Sequence, residues 1–280
     1  AVKIFNQCYR VTCNDNLVID LPNSNGIWYD VGNVDGIFTN NWIQGVGRTD
    51  FKIRTDNVWP SDNGFFFEIS KGALCAGNVF VDCDHGLLVL NASDVKIYNN
   101  TFVNSTACIA RNERSAQGDH FGWHPSTGPD VNERDGHFFI NNLLTGDEKF
   151  DRPLLYVWQR DFQCKELPEP MLKQQDHNVY VRRADIQGNP VILWSPVQNK
   201  SCQAALKSLE EFRRLNPEFE KNGTGFYSYN NQLFKSRELG NYQLLPGFPG
   251  INNGTALPSE ISKLIGSNQG PYIGAFPHTD

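Results

Sequence analysis

Two carboxylates stand at the ends of two similar apolar segments, and their positions could support catalysis. The segments are residues 26–30 and 64–68; each begins with glycine, continues with three aromatic or aliphatic residues and ends in an acid. Because side chains alternate along a strand, positions two and four after each glycine share one face. If the segments are adjacent parallel strands, Asp30 and Glu68 stack about 4.8 Å apart on that face.

Two carboxylates at that spacing match a retaining glycosidase, in which one attacks the sugar and the other transfers a proton. Two like charges so close cannot both ionise comfortably, so the pKa of one must rise. Glu68 follows three phenylalanines, and desolvation there favours its neutral acid form. Asp30 precedes a Val-Gly-Asn turn and is expected to stay ionised. We therefore predict a glycoside hydrolase with Asp30 as nucleophile and Glu68 as general acid/base. The alternative is that both are ordinary solvated charges at strand ends.

Further residues could form a substrate groove around this pair. Trp28 and Phe66 occupy position two on the same face, where they offer flat apolar surface to a sugar ring. Insertions at residues 45–63 and 112–135 border that face and could wall the groove. The second insertion carries a dense polar and aromatic set that includes Arg114, Asp119, Ser126, Thr127 and Asp130. The predicted substrate-binding residues are Trp28, Phe66, Arg111, His120, Trp123, His124, Glu133 and Arg134.

A sequence repeat indicates the scaffold that would position these residues. Glycine-led or alanine-led strands start at residues 26, 64, 86 and 107, and a second series starts at Asn41, Asn78, Asn100 and Asn142. The shortest spacing between successive starts is 21 to 22 residues. Short strands at this period, with Asn/Gly turns and no helix, are typical of a parallel β-helix. We predict an all-β, right-handed parallel β-helix with long loop insertions, in which the asparagines form a side-chain ladder.

The repeat also predicts the organisation of the chain. Residues 1–160 should form the β-helix coils that carry the site, and residues 161–280 the last coil or coils, a short helix and a loop-rich cap of the same domain. Ser208 and Glu211 have the spacing of a capping box that opens this helix. Residues 1–25 already read as strands without a polar cap, so we expect a preceding segment or a second chain to cover the first coil. Cys164 and Cys202 are the predicted disulfide.

Composition excludes several function classes. The formal net charge of −6 argues against general binding to nucleic acid or anionic membranes. No apolar run has the length of a membrane span. Six Asn-x-Ser/Thr motifs favour a secreted, periplasmic or extracellular location. The expected partner is therefore a carbohydrate, with roles in carbohydrate metabolism and polysaccharide degradation.

No metal site is predicted from the sequence. His120 and His124 are four residues apart, but Pro125 and the surrounding small residues argue against the helix that would direct both at one ion. No cysteine has metal-ligand spacing with a histidine. We expect no cofactor, although the acidic loops could hold calcium.

The two acidic segments resemble a known enzyme family. Gly26-Ile27-Trp28-Tyr29-Asp30, followed by Phe66-Phe67-Glu68-Ile69, is similar to the paired motifs of the β-helix glycoside hydrolases of family 120, a group of β-xylosidases. His124-Pro125-Ser126-Thr127, ahead of Asn141-Asn142-Leu143-Leu144, also resembles a loop of that family. The resemblance covers about residues 25–145 and implies that Asp30 is the nucleophile and Glu68 the general acid/base. It departs in the insertion between the two acids and in Arg111.

Two other functions compete with hydrolysis. A polysaccharide lyase that cleaves uronate polymers by β-elimination would fit a β-helix, and Arg111 resembles the arginine of such enzymes. A lyase also needs a basic partner on the preceding coil, where this chain has Leu90. The third reading is a non-catalytic carbohydrate-binding solenoid.

Overall fold

The fold is a stack of coils that each contribute up to three short strands. The computed structural model describes residues 1–47, 62–114, 128–147, 150–183, 189–267 and 271–277. In chain order the strands are β1 (Val2–Phe5), β2 (Thr12–Asn14), β3 (Leu17–Leu21), β4 (Ile27–Asp30), β5 (Val34–Thr39), β6 (Trp42–Val46), β7 (Asn63–Glu68), β8 (Lys71–Ala76), β9 (Val79–Val81), β10 (His85–Leu90), β11 (Ser93–Tyr98), β12 (Thr101–Val103), β13 (Thr106–Arg111), β14 (His137–Ile140), β15 (Leu143–Gly146), β16 (Leu155–Gln159), β17 (Leu172–Asp176), β18 (Val179–Arg182), β19 (Ile192–Trp194), β20 (Ala204–Leu206), β21 (Thr224–Phe226), β22 (Phe234–Ser236) and β23 (Asn241–Leu244).

Three parallel sheets run along the stack. The first sheet has the order β1-β4-β7-β10-β13-β16-β19 and ends with β20, which pairs antiparallel to β19. The second follows β2-β5-β8-β11-β14-β17, and the third follows β3-β6-β9-β12-β15-β18-β21. The predicted parallel β-helix is confirmed. Within the part of the chain that the structure describes, no helix is long and apolar enough to cross a membrane.

The core lies inside the coils because alternate side chains of every sheet point inward. Phe65 and Phe67 belong to this core and are fully buried, as predicted. Phe80 and Phe102 stack on adjacent coils with ring centroids 4.9 Å apart. Identical residues at equivalent positions therefore pack as continuous columns along the solenoid.

The asparagine column forms a buried amide ladder. Each Nδ2 donates to the Oδ1 of the next coil: Asn41 to Asn78 (2.9 Å), Asn78 to Asn100 (2.9 Å), Asn100 to Asn142 (3.0 Å) and Asn142 to Asn178 (3.0 Å). The same Nδ2 groups also donate to backbone carbonyls, as Asn100 does to Cys75 (3.0 Å). These buried amides are hydrogen-bonded on both sides, which is the condition for burying polar groups without a large cost.

The ladder ends on a carboxylate that the sequence did not point to. Asn178 Nδ2 donates to Glu220 Oε1 at 2.8 Å, and the Tyr180 hydroxyl and Gln175 Nε2 donate to the same oxygen at 2.8 and 3.0 Å. Glu220 is fully buried. A carboxyl group keeps acceptor lone pairs whether ionised or protonated, so it suits the last rung, where one amide donor remains to be satisfied.

A bulge at Gly86 changes the predicted register. His85 pairs with Thr106 but Leu87 pairs with Ala107, so Gly86 is an extra residue on β10. Counting from the glycines therefore placed the β13 side chains one position out. Ala107 and Ile109, rather than Cys108 and Ala110, pack in the core. Arg111 was predicted as a groove residue on the face of Asp30 and Glu68, and this placement is wrong for the same reason, because Ala110 is the residue that pairs with Leu90.

The C-terminal part covers the outer faces of two sheets. Helix α1 (Leu209–Leu215) begins as predicted, with Ser208 Oγ accepting from the Glu211 amide at 3.2 Å. The β22–β23 hairpin packs on the third sheet and helix α2 (Ser259–Leu264) on the second. Cys164 and Cys202 form a disulfide. The boundary at residue 160 stays a prediction, as does the segment expected to cover β1 and its neighbours in the first coil.

We expect the terminal rung to make stability depend on pH. Burial raises the pKa of Glu220 to about 7, against the opposing hydrogen bonds from Tyr180, Asn178 and Gln175. The folded chain then holds this proton more tightly than the unfolded chain. The contribution of the protonated Glu220 to the free energy of unfolding is therefore full below about pH 4.5 and is lost as pH rises toward about 7. Relative to wild type, Glu220→Gln should gain up to about 3 kcal/mol of unfolding free energy between pH 4.5 and 7.5.

Urea unfolding at both pH values measures this difference. The exposed Glu218→Gln is the matched control and should show no such gain. A Glu220→Gln difference that is the same at both pH values would contradict the prediction.

Candidate functional site

The two predicted acids lie opposite each other on adjacent strands. Asp30 is the last residue of β4 and Glu68 the last of β7, and the two pair in register. The exposed fractions of the two residues are 3% and 2%. Asp30 and Glu68 are therefore adjacent, as the repeat predicted, but they are buried rather than solvated.

Matched turns hold this register. Val31 and Ile69 follow the two acids with φ values of 43° and 44°, and their side chains form a small buried cluster. Asn33 Nδ2 donates to the backbone oxygen of Asp30 at 2.8 Å, and Ser70 Oγ donates to that of Glu68 at 2.7 Å. A β-branched residue with left-handed backbone dihedrals is unusual. Two of them at the same position of adjacent coils make these turns a specific feature of this edge of the sheet.

Among the described residues, each acid has one basic partner. Arg114 Nη1 lies 2.5 Å from Glu68 Oε1, and Lys3 Nζ lies 2.8 Å from Asp30 Oδ2. Two buried carboxylates without cations would be strongly destabilising, and the pairing offsets that cost. The four groups form a compact cluster with no net charge when all are ionised.

The electrostatics give the two acids different environments. Burial raises the pKa of Glu68 to about 7; Arg114 opposes the rise, while the charge of Asp30 and a hydrogen bond with it add to the rise. At neutral pH Glu68 is thus divided between its acid and its ionised form, which is the state required of a general acid/base. This direction agrees with the desolvation expected from the flanking phenylalanines.

The aromatic residues beside the acids stack on each other. The Trp28 and Phe66 rings are 5.2 Å apart with an interplanar angle of 14°. Lys3 Nζ lies 3.8 Å from the centroid of the Trp28 ring, on the side of the neighbouring β1 strand. The indole faces are therefore both occupied. Trp28 Nε1 is buried and has no hydrogen-bond partner among the described residues. The predicted substrate contacts of Trp28 and Phe66 stay predictions.

Two arginines and one glutamate of the prediction lie away from the acid column. Arg111 is 2% exposed and donates to Gln159 Oε1 (2.6 Å) and to the carbonyls of Leu167 (2.9 Å) and Glu169 (2.8 Å). Arg134 is fully buried, and its Nη1 donates to the Asn112 carbonyl.

Glu133 lies 3.9 Å from Lys71 on the second sheet. Arg111 and Arg134 thus bind backbone carbonyls, and their predicted substrate contacts, like that of Glu133, stay predictions. His120, Trp123 and His124 lie outside the described residues.

Lys3 is a residue that the sequence analysis missed. Its strand pairs Lys3 with Trp28 and Phe5 with Asp30. Aligning Val2-Lys3-Ile4-Phe5 with Ile27-Trp28-Tyr29-Asp30 would have found it, but this strand lacks the leading glycine by which the repeat was counted. The other cation, Arg114, was already part of the predicted insertion set.

Beyond Glu68 the same face becomes apolar. Leu90, Ala110 and Trp158 continue the column of Asp30 and Glu68 along the first sheet. Because Phe5 pairs with Asp30 on the other side, apolar residues flank the two acids in this column.

The described residues around the acids contain no cluster of metal ligands. In the described ranges, no group of three or more His, Cys, Asp or Glu side chains could hold a metal ion. The expected absence of a cofactor, and the calcium alternative, remain predictions.

A cavity of about 490 Å³ lies between the third sheet and the β22–β23 hairpin, and its lining includes neither acid. Its size does not make it the site, because the titratable pair lies elsewhere.

Comparison with known proteins finds one family. Residues 4–142 match the family model described as NosD, periplasmic copper-binding protein. The chain is similar to NosD over these residues. The match covers just under half of the 280-residue chain and contains Asp30 and Glu68. No curated protein and no solved structure gives a significant match.

The NosD match agrees with the β-helix architecture and confirms the expected secreted or periplasmic location. It does not support family 120 of the glycoside hydrolases in particular. Copper binding belongs to the description of NosD, and the described residues show no ligand cluster that fits it.

We expect Arg114 to control the protonation of Glu68. Arg114→Gln removes the cation that opposes burial, so the pKa of Glu68 should rise above about 7, by about one unit or more. A carboxyl ¹³C NMR titration measures this directly, with the Glu68 signal assigned by its loss in Glu68→Gln. The exposed Arg214→Gln is the matched control. An unchanged or lower midpoint in Arg114→Gln would show that the ion pair does not set the proton affinity of Glu68.

Proposed function

We propose that this protein is a retaining glycoside hydrolase that acts on an oligo- or polysaccharide. The observation that carries the proposal is the in-register pairing of Asp30 with Glu68, together with the raised pKa of Glu68. Neighbouring strands are about 4.8 Å apart. Retaining enzymes hold their carboxyl groups about 5–5.5 Å apart, whereas inverting enzymes need about 6.5–9.5 Å to admit water.

The proposed reaction has two displacement steps. In the first, an Oδ of Asp30 forms a bond to the anomeric carbon while the bond from that carbon to the leaving oxygen breaks, and Glu68 donates its proton to this oxygen. In the second, ionised Glu68 takes a proton from water, the water oxygen bonds to the anomeric carbon, and the bond to Asp30 breaks. Both residues return to their starting protonation states.

The resemblance to family 120 supports the same assignment at a finer level. Its nucleophile and acid/base motifs fall on Asp30 and Glu68, which are the two residues paired across β4 and β7. The family consists of β-xylosidases, so a xyloside is the first substrate to test. The assignment to this family rests on motif likeness alone.

The NosD match favours a second candidate, a non-catalytic periplasmic solenoid that binds a ligand. A carbohydrate would suit the buried acids and the Trp28 edge as a ligand. Copper does not fit the described residues, because they contain no cluster of three ligand side chains. A uronate lyase is less well supported, since Arg111, the residue that suggested it, is buried and bonded to Gln159 and to the carbonyls of Leu167 and Glu169.

We expect both carboxylates to be essential for hydrolysis. Asp30→Asn removes the nucleophile and Glu68→Gln removes the transferable proton, so each should lower kcat/KM on 4-nitrophenyl glycosides by about 10³-fold or more. A 2-fluoroglycoside should form a covalent adduct on Asp30, detectable by peptide mass spectrometry. In wild type, kcat/KM should fall about tenfold per pH unit above about pH 7, as the proton of Glu68 is lost.

The exposed Asp161→Asn and Glu166→Gln are the matched controls and should keep wild-type activity. If wild type cleaves no member of the panel, or if either site variant stays fully active, the proposed mechanism is wrong. A rise in ultraviolet absorbance from an unsaturated uronate product would instead establish the lyase.

A further inference from the structure

The Lys3 ammonium is held by three groups of the acid site. Besides the Asp30 carboxylate at 2.8 Å, it lies 3.8 Å from the centroid of the Trp28 ring and 5.0 Å from that of Phe5. A cation over aromatic faces is attracted by the ring quadrupoles. The side chain is 47% exposed, so these contacts, rather than burial, define the position of its charge.

The register explains how one lysine reaches all three groups. Lys3 pairs with Trp28 and Phe5 pairs with Asp30, so Lys3 reaches diagonally from the Trp28 column to the Asp30 column. Phe66 covers the opposite face of Trp28. The indole is therefore clamped between Phe66 and the ammonium. One face of the Trp28 ring contacts the Lys3 ammonium, and only the edge of the ring is left to contact a ligand.

The two cations lie against different carboxyl groups. The described charged groups that face Asp30 are Lys3 from β1 and Glu68 from β7, with Arg114 on the far side of Glu68. An adjacent cation favours the ionised form of a carboxyl group. Without Lys3, the remaining cation of the site would lie beside Glu68, where it opposes the raised pKa of that carboxyl.

We propose that Lys3 is a positioning residue for the proposed hydrolysis, which keeps Asp30 ionised and oriented while Trp28 holds Lys3 in place. This inference rests on the proposed function. It assigns the N-terminal strand β1 to the active site, although neither catalytic acid lies on that strand.

The test is the pH–rate profile of Lys3→Met. This variant should lose about 10- to 100-fold in kcat/KM at neutral pH, with most of the loss in kcat, and its acidic limb should move to higher pH. Lys3→Arg should keep most of the activity, because it restores the charge. Adding Arg114→Gln to Lys3→Met should recover part of the loss, since it removes the cation that draws the proton away from Glu68.

The controls separate the failure of this inference from the failure of the proposed function. Lys96→Met, an exposed lysine on β11, should stay within about twofold of wild type, and circular dichroism should show that every variant is folded. If Asp30→Asn is inactive while Lys3→Met has a wild-type pH profile, the role of Lys3 is overturned. If wild type hydrolyses no glycoside, the proposed function itself has failed, and the role of Lys3 falls with it.

Discussion

The coil-to-coil register is the constraint on which the rest of the structure depends, and the asparagine ladder is what fixes it. A slip of one residue would turn every core side chain outward, so burial of the inner face already disfavours it. The ladder disfavours it further, because each buried amide of Asn41, Asn78, Asn100 and Asn142 has its donor and acceptor in adjacent coils. Misaligned coils would leave buried amides without partners, at about 1–3 kcal/mol for each group.

That register brings two carboxyl groups together that would otherwise repel each other. Asp30 and Glu68 cannot separate while their strands and turns stay aligned. The structure accommodates them in two ways: each acid has its own cation, and Glu68 has a raised proton affinity. A scaffold built only for stability would place apolar residues here, as it does at Leu90 and Ala110 further along the column. The retained acids and their partners are the reason to assign chemistry to this edge.

The sequence predicted the features that repeat and missed those that interrupt the repeat. The β4–β7 pair and the ladder were predictable because glycine starts, alternating apolar residues and asparagines recur at similar intervals. The register position of Arg111 was not predictable, because the only sequence sign of the bulge is Gly86, a glycine that also marks the start of a strand. Glu220 was not predicted as part of the ladder because it is a glutamate and not an asparagine. It lies 42 residues after Asn178, its hydrogen-bond partner.

Similarity to NosD and resemblance to a glycosidase family are compatible because, over nearly the same residues, they report different features of the chain. A model matched across residues 4–142 covers several successive coils, and what successive coils share is the periodic scaffold of glycine, asparagine and inward apolar residues. Such a match identifies the β-helix and its compartment, while the same scaffold can carry unrelated sites. Asp30, Glu68, Lys3 and Arg114 are not periodic: no other coil in the described ranges repeats this pair of acids in the first sheet. The proposed function therefore depends on these four side chains and not on the residues that recur from coil to coil.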